Sequence, residues 1–108
     1  MKVYDCFTFY NEIELLLFRV KILYNYVDKF VISEMNLTHQ GRPKEFYLEK
    51  NKDKFAPYWD KIRYIKVTDA NKLHYSKDNI WPLEHYQRDS LLQGLIDADP
   101  DDLIIISD

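Results

Sequence analysis

The chain has 108 residues, a formal net charge of -3 and 31% charged residues of both signs. That length supports one modest hydrophobic core, and the charge balance offers no basic field for nucleic acid. A single cysteine excludes an internal disulfide framework, and nine tyrosines and six phenylalanines against two glycines describe a stiff aromatic core, not a disordered segment.

The elements follow in chain order. Val3 to Phe9 (VYDCFTF) is aromatic and β-branched and reads as the first strand, with Cys6 a packed thiol inside it. From Ile13 the apolar residues Leu16, Leu17, Val20, Leu23, Tyr24 and Val27 share one helical face. Asn11 with Glu14 three residues on resembles a capping box, so a helix is expected to start there. Lys29 to Met35 (KFVISEM) is the second strand, with Glu34 near its end. Asn36 to Lys44 collects turn formers, including Gly41 and Pro43, and predicts a loop that leads into a short helix over Leu48 to Phe55. Ile62 to Val67 (IRYIKV) is the third strand. Pro82 stands as a first helical position, Leu91, Leu92, Leu95 and Ile96 supply an apolar face, and Asp99-Pro100 stops that helix. The final run, Leu103 to Ile106, lacks period-2 alternation and predicts a strand covered on both faces.

Strands alternating with helices predict an α/β fold, a mostly parallel Rossmann-like sheet with helices on both faces, in one unit over residues 1–108. Ligands of such sheets bind beyond the C-terminal strand ends, which here carry Asn11, Glu12, Glu34 and Asp108. A rigid strand-tip carboxylate coordinates a hard divalent cation or accepts a hydrogen bond from a base or ribose. Arg88, in the helix before the last strand, is placed to reach a phosphate or uracil, against the simpler reading of a surface ion pair with Asp89 or Glu84. His39, His74 and His85 have no metal-ligand spacing and read as loop or surface residues. Gly41 and Gly94 cannot build a glycine-rich phosphate loop, which argues against dinucleotide and P-loop chemistry. No basic n-region with an apolar h-region is visible, and no apolar stretch approaches the roughly 20 residues that span a bilayer. The chain is expected to be soluble or cytoplasmic, or to lie in the Golgi lumen if it is part of a longer anchored enzyme.

The blocks DCFTFYNE, VDKFVISE, THQGRPK, WDKI, HYQRD and DADPDDLIIISD occur in an order and spacing that resemble glycosyltransferase family 17, the β-1,4-mannosyl-glycoprotein β-1,4-N-acetylglucosaminyltransferase family. The resemblance covers nearly the whole chain. It implies a GT-A fold and transfer of a sugar, with inversion, from a UDP-sugar such as UDP-N-acetylglucosamine to a glycan hydroxyl. It also implies Mn²⁺ or Mg²⁺ at an acidic D-x-D element, of which Asp108 is the first acid. Asn11, Glu12 and Glu34 are then expected to line the nucleoside pocket, Arg88 to reach base or phosphate, and Asp108 to contact metal or ribose. A chain that stops inside that motif is expected to be an incomplete, inactive portion, with its general base downstream. Two readings from other classes stand beside this one. A non-catalytic nucleotide-sugar-binding module keeps the pocket without the reaction. A receiver-type regulator needs paired acids after the first strand and a strand-end lysine, and Asp5 lies too early for it.

Overall fold

A computed structural model of the chain describes residues 1–70 and 81–107. Four strands, β1 (Val3–Phe9), β2 (Lys29–Met35), β3 (Ile62–Val67) and β4 (Leu103–Ser107), alternate with helices α1 (Ile13–Leu23), α2 (Tyr47–Lys50) and α3 (Trp81–Asp89). Two 3₁₀ segments, Lys52–Lys61 and Ser90–Leu95, precede β3 and follow α3. All strand pairs are parallel, in the order β3-β2-β1-β4.

The central strands explain the order. β1 and β2 are buried at consecutive positions, from Tyr4 to Phe7 and from Phe30 to Met35, which requires a layer on each face. On one face Phe7, Phe9, Phe30 and Ile32 pack with Leu16 and Val20 of α1, Leu48 of α2 and Phe55 of the first 3₁₀ segment. On the other, Tyr4, Cys6 and Val31 pack with Leu91, and Met35 and Val67 pack with Leu83 of α3. Gly94 fits tightly there: a Cβ on it would lie 2.4 Å from a Val31 methyl, so the second 3₁₀ segment reaches β2 only because that residue has no side chain. Burial pushes the Cys6 thiol up to about 11, which matches a packed thiol.

Several boundaries differ from the sequence expectation. α1 starts from Glu12 with no side-chain cap, its ladder opening with Leu16 N–H to Glu12 C=O, so the Asn11–Glu14 capping box does not form. It ends at Leu23, where the Lys61 ammonium donates to the carbonyls of Tyr24 and Val27. α2 is a single turn, because the Asn51 amide donates back to Tyr47 C=O and Pro57 then lacks the N–H that an α-helix needs. α3 gives way to the 3₁₀ segment where the Ser90 hydroxyl donates to Gln87 C=O three residues earlier.

The largest difference is β4. Paired among the described residues only with β1, it forms the sheet edge, and Leu103, Ile104, Ile105 and Ile106 are 47%, 38%, 43% and 51% exposed, so the strand expected to be covered on both faces is half-open on both. Its run carries no lysine, proline or bulge to block another strand. Concentration-dependent self-association at micromolar levels is therefore expected, and Ile105→Lys should suppress it. Light scattering checks this; a wild type that stays monomeric throughout would show that the edge is protected.

An ion pair joins two elements on the face opposite α1. The Arg63 guanidinium donates to both Asp97 oxygens at 2.6 and 2.8 Å, tying β3 to the connection before β4. That hydrogen bond lowers the Asp97 carboxyl from 3.8 to about 2. A carboxyl depressed in the fold contributes stability above its unfolded value and loses it as pH falls through the folded one. Asp97→Asn should flatten the acid-unfolding profile between 3.8 and about 2; circular dichroism across that window checks it, and an unchanged profile would contradict it.

Candidate functional site

The chain runs outward from β1 to β2 to β3 and then returns to place β4 on the other side of β1. The strand order thus reverses between β1 and β4, and in open parallel sheets the C-terminal ends at such a reversal form the ligand crevice. The tip of β1 supplies Thr8, Phe9, Tyr10, Asn11 and Glu12. A cavity of about 280 Å³ lies between this tip and the first turns of α1, lined by Phe7, Phe9, Tyr10, Glu12, Leu15 and Arg19 among others. A second, of about 340 Å³, is lined by Tyr10, Thr38, His39 and Gln40. Tyr10 belongs to both.

Three hydrogen-bond systems build the walls. Beneath the first cavity, Asp5 is buried in β1, and Arg19 answers its charge with a two-point contact, Nε at 3.0 Å and Nη2 at 2.6 Å. Arg19 Nη2 also donates to the Ser107 hydroxyl at 2.9 Å, and the guanidinium lies 4.0 Å from the Phe7 ring centre. One side chain therefore clamps α1, β1 and the end of β4.

The second system centres on Glu34, which is fully buried at the end of β2 opposite Phe9 of β1. Its Oε2 accepts from Lys44 Nζ at 2.5 Å and from Tyr47 N–H at 2.7 Å; its Oε1 accepts from Tyr64 OH at 2.5 Å and from Leu48 N–H at 3.1 Å. The carboxylate thus caps α2, fixes β3 and holds the loop after β2. Burial, reinforced by Glu34, raises the Tyr64 phenol far above its ordinary value and keeps it a neutral donor. The Lys44 ammonium, 3% exposed, sits 4.8 Å from the Tyr47 ring centre and 5.8 Å from that of Tyr10, which connects this anchor to the crevice.

The third system comes from α3. Gln87, buried, donates its amide hydrogens to Phe9 C=O at 3.2 Å and Ser33 C=O at 2.9 Å, so it bridges the tips of β1 and β2. Its Oε1 is left to accept from His39 Nε2 at 2.7 Å, which places the proton on that nitrogen, while His39 Nδ1 lies 3.4 Å from Glu84. The Ser90 hydroxyl is committed to Gln87 C=O, so Ser33 is the donor in the 2.6 Å Ser33–Ser90 pair.

Of the residues singled out in the sequence, Asn11 and Glu12 are exposed at the β1 tip, and Glu12 lines the smaller cavity. Glu34 lies at the neighbouring tip with both oxygens engaged inside the chain. Arg88 is exposed on α3, directly after the residue that bridges the two tips. Asp108 lies outside the described residues, as does His74. Sequence reasoning passed over Arg19, Lys44 and Gln87, and read His39 only as a loop or surface residue. The usable signal was Arg19, a lone cation in the apolar run IELLLFRV; for Gln87 there was none.

Among the described residues, Asp99, Asp101 and Asp102 form a group whose carboxylate oxygens lie within 4.8 Å of one another. They precede β4 at the opposite end of the sheet, where Asp102 accepts from the backbone N–H of Lys2 and Asp99 as part of a turn. Those two hydrogen bonds lower its carboxyl. At the crevice, the described residues do not assemble a metal site. No helix among them is long and apolar enough to cross a membrane.

A parallel α/β sheet with an aromatic, carboxylate-bearing crevice at its strand-order reversal defines a Rossmann-like fold. The family model for glycosyltransferase family 17 matches residues 1–108, the whole chain, and the protein belongs to that family of glycosyltransferases. No curated protein and no solved structure matches it.

Proposed function

We propose that the chain forms the donor-binding part of an inverting N-acetylglucosaminyltransferase, seating a UDP-sugar at the tips of β1 and β4 for transfer to a glycan hydroxyl. The observation that carries the reading is the cavity at the strand-order reversal, with Glu12 on its rim and aromatic and aliphatic walls, in a chain of glycosyltransferase family 17. Asn11 and Glu12 contact the nucleoside, with Glu12 accepting from ribose hydroxyls, and Arg88 approaches the diphosphate from α3. Glu34 shapes the pocket through the loop and the Tyr10 side chain that its Lys44 partner supports. A divalent cation, Mn²⁺ or Mg²⁺, would be held by Asp108, which lies outside the described residues, and would neutralise the donor diphosphate.

Calorimetric titration with UDP-N-acetylglucosamine tests this. Glu12→Gln and Arg88→Ala should each weaken binding by ~1–3 kcal/mol, the cost of losing a hydrogen bond to a charged group. Equal affinity in the wild type and both variants would remove these residues from the site.

A further inference from the structure

Arg19 carries more hydrogen-bonding capacity than its partners among the described residues use. Of its five N–H donors, Nε and one Nη2 hydrogen go to Asp5 and the second Nη2 hydrogen goes to Ser107. The two on Nη1 have no partner among the described residues. The side chain is 33% exposed, and it lines the cavity of about 280 Å³ at the β1 tip.

The charges around that cavity decide what those donors accept. The positive charge of Arg19 is already matched by Asp5, and Glu12 adds a negative one, so the cavity offers no surplus of positive charge for a phosphate. Phe7, Phe9, Tyr10 and Leu15 supply apolar surface suited to a flat, neutral ring. A neutral nucleobase satisfies guanidinium donors with carbonyl oxygens or unprotonated ring nitrogens.

We propose that Arg19 Nη1 donates to the oxygen on C4 of the nucleobase, which makes Arg19 the residue that selects uridine over cytidine. Uracil places an acceptor oxygen at C4, whereas cytosine places an amino donor there. Two donors then face each other and neither finds a partner, the arrangement that gives polar sites their strong discrimination. This inference rests on the proposed seating of a nucleotide-sugar in the same crevice.

The test is titration of the 108-residue chain with UMP and with CMP. The wild type should prefer UMP by about tenfold. Arg19→Lys keeps a cation for Asp5 but loses the planar fork, and it should bring the preference close to unity. The pair Asp5→Asn with Arg19→Gln, which leaves no buried charge behind, should do the same. A measurement on the wild type stands apart from the folding of any variant: the guanidinium ¹⁵N resonance of Arg19 should shift with UMP and not with CMP. Binding of either nucleotide without a base preference, a preference that survives both variants, or an unmoved Arg19 resonance would overturn the role of Arg19 alone. Failure of the wild type to bind either nucleotide would overturn the nucleotide seat and this inference with it.

Discussion

Glu34→Ala should be the most damaging single substitution at the strand tips, costing ~3–5 kcal/mol, the usual penalty for breaking a buried ion pair. The loss does not come from the carboxylate alone. Its removal strands the Lys44 ammonium, 3% exposed, without its counter-charge. It also leaves Tyr64 OH and the N–H groups of Tyr47 and Leu48 without their acceptor. A domain of this size has a total stability of roughly 5–15 kcal/mol, so the variant should unfold at markedly lower denaturant than the wild type. Chemical denaturation followed by tyrosine and tryptophan fluorescence checks this. A midpoint unchanged from the wild type would show that Glu34 does not anchor the loop. Lys44→Met combined with Glu34→Gln should recover part of the loss, since the pair then leaves no buried charge.

Arg19→Met should come second, at ~3 kcal/mol, because it leaves the Asp5 carboxylate buried without a counter-charge. The reverse change, Asp5→Ala, should cost less: the Arg19 side chain is one-third exposed and can turn its donors to water, whereas Asp5 cannot. This asymmetry distinguishes a clamp across α1, β1 and β4 from an incidental surface pair, for which both changes would fall within 0–1 kcal/mol. A double-mutant cycle with Asp5→Asn measures it, and equal, small effects of the two single changes would contradict the clamp.

The strands were legible in the sequence because their residues leave little choice. VYDCFTF, KFVISEM and IRYIKV are too short and too rich in β-branched and aromatic side chains for a helix, and the first three strands fall where the pattern places them. The parallel sheet follows from the intervening helices and needed no knowledge of contacts. β4 shows the limit of that argument: an unbroken apolar run predicts burial on both faces, but burial depends on neighbours that the run itself does not contain. The strand tips were legible as positions, not as environments. Nothing local distinguishes Glu12, open to the crevice, from Glu34, sealed under a loop. The difference is made by Lys44 ten residues later and Tyr64 thirty residues later. The bridge from Gln87 to Phe9 and Ser33 spans 78 and 54 residues, a separation at which spacing carries no information.

In the proposed function the C-terminal tips around β1 seat the sugar donor. Backbone amide shifts on titration with UDP-N-acetylglucosamine test it most directly, because they report where the ligand sits and not only that it binds. Shifts should concentrate at Thr8 to Glu12, at Arg19, at Thr38 to Gln40 and at Gln87 and Arg88, with the turn from Asp99 to Asp102 unmoved. Shifts confined to that turn, or none at saturating ligand, would contradict it.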